Sequence, residues 1–158
     1  MQQKNIGTER GLQKIKHYCS YQERSHYQVK EKLYSFGLYK KEVEAILSQL
    51  IEENYLNEER YAIAFAGGKF RIKRWGRVKI KYELKQSNVS EYCIKAALRS
   101  IDEKEYEKTL HDLFEIKMKT LKAEKNIFIK KQKLYAYLMQ KGFEPALINT
   151  LFNNKEHP

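Results

Sequence analysis

Between Lys69 and Lys85 the sequence sets eight cations, Lys69, Arg71, Lys73, Arg74, Arg77, Lys79, Lys81 and Lys85, against one acid, Glu83. Cations this dense cannot neutralise themselves through i,i+4 ion pairs. They leave a positive field whose natural complement is phosphate oxygen, each contact releasing condensed counterions. Four of them precede Trp75-Gly76 and four come after it, so they converge on one corner. A merely solvated helix face is the plain alternative for any lysine-rich stretch. The density and the missing counter-charges favour a binding surface. Phe70, Trp75 and Tyr82 are interleaved with these cations, and aromatic faces of this kind stack on unpaired bases. Trp75 also falls on an apolar seam, which assigns it to the core, whereas Phe70 and Tyr82 fall off that seam and stay open. Lys130, Lys131 and Lys133 form a second, weaker patch, read as a solvated face or an auxiliary contact.

Other chemistry has little to work with. The histidines, His17, His26, His111 and His157, include no i,i+4 pair that would present two metal ligands on one helix face. Asp102 and Asp112 are the only aspartates, few for a two-metal nuclease centre. His17 and Cys19 lie two apart and diverge on a helix, and no CxxC pair exists for zinc. Cys19 and Cys93 fit apolar stripes and read as buried thiols. Gly67-Gly68 lacks the Lys-Ser/Thr of a phosphate loop, and Gly68 reads instead as room for close helix approach. No active site, metal or cofactor is expected.

The elements that carry the basic tract are set by composition and period. The chain has 158 residues, a formal net charge of +11, 42% hydrophobic residues, and only seven glycines and two prolines. It is too apolar to be disordered throughout and too poor in Gly and Pro for a β-sandwich. Its longest apolar run, six residues from Tyr61 to Ala66, is far short of the ~20 that span a bilayer. The opening residues are polar rather than a secretory segment, so a soluble, cytoplasmic, reducing-compartment protein with no membrane partner is expected. Val43, Ile46, Leu47 and Leu50 make a full helical stripe, and Tyr61, Phe65, Gly68, Ile72 and Trp75 a long seam. Ser25 with Gln28, and Asp102 with Glu105, have capping-box form; Ser90 precedes a helix start and Pro145 fits a first turn. The fold class is all-α.

An internal repeat organises these helices. Val29, Leu33, Gly37, Leu38 and Val43 recur as Ile80, Leu84, Asn88, Val89 and Ile94, and again as Leu134, Leu138, Gly142, Phe143 and Ile148, with periods of 51 and 54 residues. The apolar pair four apart is a helix core face, and the Gly or Asn is the residue that ends that helix in a left-handed turn. A second helix comes next, giving a helix-turn-helix corner. With a helix before each corner, the expectation is an elongated tandem array of three three-helix units, 1–56, 57–101 and 102–158. The charge divides unevenly: nine Lys/Arg against seven acids in 1–56, eleven against four in 57–101, eleven against nine in 102–158. The middle unit holds most of the excess.

Asn54-Tyr-Leu-Asn-Glu-Glu-Arg-Tyr-Ala62 resembles the signature of the RecX family, bacterial regulators of the RecA recombinase, at the opening of the second repeat. After it come the basic tract Lys69 to Arg74, Gly76, and the basic helix Arg77 to Lys85 ending Glu83-Leu84-Lys85, in an order similar to the family's. Tyr137-Leu-Met-Gln-Lys-Gly-Phe143 looks like the family's third-repeat ending. The resemblance spans about residues 12 to 152. It implies a protein that binds the RecA–DNA filament in its groove, damping filament extension, ATP hydrolysis and strand exchange in recombination and repair; separately, a monomer is expected. Single- and double-stranded DNA would be non-specific, salt-sensitive partners held by the basic tract. Two other readings stay open: a stand-alone helix-turn-helix DNA-binding regulator, and an architectural scaffold with no nucleic-acid role. Arg60, in the signature beside Glu58 and Glu59, is expected mainly to fix the junction between the first two units.

Overall fold

The computed structural model describes residues 4–156, with side chains to Asn154; His157 and the first three residues lie outside it. All regular structure among the described residues is helical: α1 Thr8–Tyr21, α2 His26–Ser35, α3 Lys40–Glu52, α4 Glu58–Gly68, α5 Arg77–Gln86, α6 Glu91–Arg99, α7 Glu103–Thr120, α8 Ile127–Lys141 and α9 Pro145–Glu156. They group in threes. The accessible surface of 10620 Å² exceeds the about 8,300 Å² of a compact monomer of this mass, as an elongated array requires. No described helix is long and apolar enough to cross a membrane.

Local chemistry sets the helix boundaries. Ser25 Oγ accepts from the Gln28 N–H and Gln28 Oε1 accepts from the Ser25 N–H, both at 3.0 Å, so two orphan donors of α2 are satisfied reciprocally. Asp102 accepts from the Glu105 N–H at 3.0 Å, Ser90 from the Cys93 N–H at 3.3 Å, and Pro145 opens α9. The three corners are alike in backbone as in sequence. Gly37, Asn88 and Gly142 take φ of +79°, +60° and +98°, the left-handed turn that stops one helix and starts the next. All twelve apolar positions of the repeat are buried.

Apolar burial is continuous across the second and third units but interrupted after the first. Ile15, Val29, Leu33, Val43, Ile46, Leu50 and their neighbours form one core. A second core runs unbroken from Tyr61 through Ile80, Leu84 and Ile94 to Tyr106, Leu134, Phe143 and Ile148. Cys19 and Cys93 are buried, each in one of these cores.

The apolar seam of α4 breaks at its C-terminal end, contrary to the sequence expectation. Residues Lys69–Lys73 form a π-helical turn, which takes up one more residue than an α turn. Ile72 is thereby turned out to 80% exposure, while Phe70 is buried against Tyr106 with ring centroids 5.7 Å apart. Trp75 packs, partly buried, on the second core. Arg74 ends the turn at φ +57°. Gly68 faces open space; the tight positions are elsewhere.

Candidate nucleic-acid interface

The basic tract begins on the π turn and continues onto α5, so its geometry depends on how α5 is anchored. Gly76 precedes α5 and has no side chain to cap it. The third unit caps it instead. The Gly76 N–H donates to the Lys141 carbonyl at 2.8 Å, the Val78 N–H to the Gly142 carbonyl at 2.9 Å, and the Arg77 N–H to the Tyr106 hydroxyl at 3.0 Å. Orphan donors at the start of α5 thus meet orphan acceptors at the end of α8, positive helix end to negative helix end. The approach leaves no space for side chains. A Cβ on Gly76 would lie 2.3 Å from the Gly142 carbonyl oxygen, and one on Gly142 2.3 Å from Lys79 Cβ.

Arg77 belongs to this junction rather than to the free surface. Its guanidinium lies 3.8 Å above the Tyr106 ring, pairs with Glu144 at 2.9 Å and also reaches Glu103. Its burial opposes the charge, but the two carboxylates outweigh that and raise its pKa. Tyr106, fully buried, donates to Glu144. Burial, reinforced by that carboxylate, pushes its phenol far above the ordinary value of 10.0.

The remaining cations of the tract divide by environment. Lys85 has an exposed ion pair with Glu91 at 3.8 Å. Lys69, Arg71, Lys73, Arg74, Lys79 and Lys81 have no ion pair among the described residues. Lys69 and Lys79 come together across the corner, with Nζ atoms 5.0 and 4.6 Å from the Trp75 ring, so the half-buried indole holds two cations rather than offering an open stacking face. Arg71 folds back along α4, where Gly67 leaves room for its guanidinium. Arg74 lies near Asp112, whose carboxyl is held below its ordinary range chiefly by the hydrogen bond from Lys108, with Arg74 contributing. Tyr82 is 60% exposed and stays open.

Two cations outside the tract extend it. Lys141 donates to the Lys73 carbonyl at 3.3 Å, and Lys117 and Lys141 both stand over the Tyr137 ring. Nothing in the linear sequence joins Lys73 to Lys141, since the link is the Gly76–Gly142 contact. Lys130, Lys131 and Lys133 are not brought into this surface. They lie at the other end of α8, about 16 Å along the helix from Lys141, and Lys133 pairs with Glu124 at 3.7 Å.

Arg60 sits where the first core ends. Its guanidinium bridges to Glu23 at 2.5 Å and donates to the Asn54 side chain and carbonyl, each at 3.2 Å. Asn54 is itself left-handed, at φ +63°. The signature arginine therefore ties α1's trailing loop to the start of α4.

Residues 57–98 match the family model of the RecX second three-helix domain, and residues 104–152 that of the third. Proteins named "Regulatory protein RecX" are similar over most of the chain. That of Clostridium perfringens (strain 13 / Type A) is 32% identical over 133 residues, covering 81% of this chain. That of Halalkalibacterium halodurans is 31% identical over 137 residues, covering 86%. The chain spans 62% and 51% of the length of these two relatives. The crystal structure of RecX from Lactobacillus salivarius has the same fold, with a TM-score of 0.83 at 23% identity over 93% of this chain and 95% of that one. The two matched domains together cover more than half of the sequence, and the chain belongs to the RecX family.

Proposed function

We propose that this chain regulates the RecA recombinase by lying in the groove of the RecA–DNA filament, where it hinders filament growth, ATP hydrolysis and strand exchange. The observation that carries this reading is the unpaired cation group Lys69, Arg71, Lys73, Arg74, Lys79 and Lys81, extended by Lys141 across a rigid junction. It is set at the middle of an elongated array, so an anchored centre leaves both ends free to track a helical groove. Phosphates of filament DNA and acidic protein surface are its partners. Lys130, Lys131 and Lys133 remain a separate, auxiliary contact in this reading.

The test reverses Arg71, Lys73, Arg74 and Lys81 to Glu together. Arg77 is left intact because its reversal would break the junction with Glu144 and Glu103. The variant should fold and lose inhibition of RecA's DNA-dependent ATPase, and the salt dependence of DNA binding should fall by about one log–log unit per phosphate contact removed. A wild-type chain that leaves that ATPase untouched at low salt overturns the proposal. The three helix-turn-helix corners support a second reading, a stand-alone duplex reader. That reading requires a preference for one sequence of about 10³-fold or more.

A further inference from the structure

We propose that the first unit carries its own site for single-stranded nucleic acid, in the cleft between α1 and α2, separate from the basic tract of the middle unit. The open cleft has a volume of about 570 Å³ and is lined by Gln13, Lys14, His17, Tyr18, Tyr21, Arg24, Lys32 and Phe36. None of its lining residues is a carboxylate. The unit's modest net charge conceals this, because none of its seven acids lines the cleft and four are engaged elsewhere: Glu23 with Arg60, Glu53 with Lys16, Glu44 with Lys40, and Glu42 with Asn5. What remains in the cleft is positive.

The aromatics are arranged as floor and rim. Tyr18 and Phe36 are half-buried at the base. Arg24 stacks on the Tyr18 ring at 3.7 Å and is held there by its Nε–H bond to the Tyr18 carbonyl at 3.0 Å. Lys32 lies 5.5 Å from the Tyr18 ring and 5.8 Å from that of Phe36, and Lys14 5.7 Å from Phe36. The floor thus fixes three cations without neutralising them. Tyr21, at the last turn of α1, stands at the rim and is 79% exposed. An open aromatic ring above a ring of fixed cations matches a strand whose bases are unstacked and whose phosphates are one step away. A duplex offers the same phosphates but keeps its base faces covered, which is why the ligand is the single strand. An acidic peptide would satisfy the cations but has no need of the open ring.

The cleft would take a single strand whatever the protein's larger partner is, so the site does not depend on the filament reading. It is tested with the full chain by fluorescence anisotropy, comparing a dye-labelled 15-nucleotide oligo-dT with an abasic strand of the same length and charge. Tyr21→Ala, on a side chain that supports no core, should weaken oligo-dT binding about five- to tenfold and leave the abasic strand unchanged. Tyr21→Phe should retain wild-type behaviour. Lys14→Glu with Lys32→Glu should weaken both strands. The middle-unit reversal should leave the ratio between the two strands as it is, so the two proposals fail separately. If Tyr21→Ala binds both strands as the wild type does, or weakens both equally, the inference falls.

Discussion

Tyr106 shows how one hydroxyl can hold two units together. It accepts from the Arg77 N–H, donates to Glu144, and lies under the Arg77 guanidinium and beside Phe143, with ring centroids 5.1 Å apart. Tyr106→Phe keeps the ring and removes only the hydroxyl. Denaturant unfolding should show a loss of about 1–3 kcal/mol, because a helix N–H and a partly buried carboxylate lose their partner. The same residue sets a pH dependence. Its folded pKa is raised above the unfolded value, so its contribution is complete below about pH 10 and is lost as pH rises beyond that. Wild-type stability should therefore fall with alkaline pH more steeply than that of Tyr106→Phe, as read by unfolding midpoints on either side of pH 10. An equal slope would mean that the phenol's environment is not what limits the junction.

At the scale of the element, the left-handed corners decide where helices stop. Asn88 holds φ +60° with an exposed side chain, so substitutions there test backbone conformation with little change in packing. Asn88→Gly should be neutral or slightly stabilising, and Asn88→Val should cost about 1–2 kcal/mol, measured by thermal or denaturant unfolding. Gly142→Ala should be worse than its φ alone predicts, because the added methyl meets Lys79. These corners were legible in the sequence. Only Gly or Asn stood at the turn, and every apolar position of the repeat proved to be core. The π turn was not legible, because its signal is a one-residue change of phase; Ile72 and Phe70 exchange roles across it, and both are apolar. The basic tract was visible as charge, but its partition was not. Arg77 resembles its neighbours until Glu103 and Glu144, far along the chain, are placed beside it. Lys141 was hidden for the same reason. The first-unit cleft was hidden by averaging, since its cations are intermixed in sequence with the unit's acids, none of which lines it.

The whole molecule is two bodies of unequal size. The first unit has its own core, and the second and third share one. Native-state hydrogen exchange should resolve two opening free energies, one for amides of α1–α3 and a second for those of α4–α9. Leu33→Ala, which empties a fully buried position of the smaller core, should lower protection there by about 2–5 kcal/mol and leave amides around Leu84 unchanged. A uniform loss across the chain would show that the molecule opens as one cooperative body.

The contact of Gly76 with Gly142 then acquires a geometric meaning. Two backbones that touch with no side chain between them form a keyed socket, so neither partner can slide or turn to suit its surroundings. Among the described residues, the break between the two cores at Asn54 and Arg60 is not keyed in this way, and the filament reading proposed above would place there any adjustment to a periodic track. On that reading a change in the pitch of the track would not be shared evenly along the molecule. It would fall as torque on the clasp between Arg60 and Glu23.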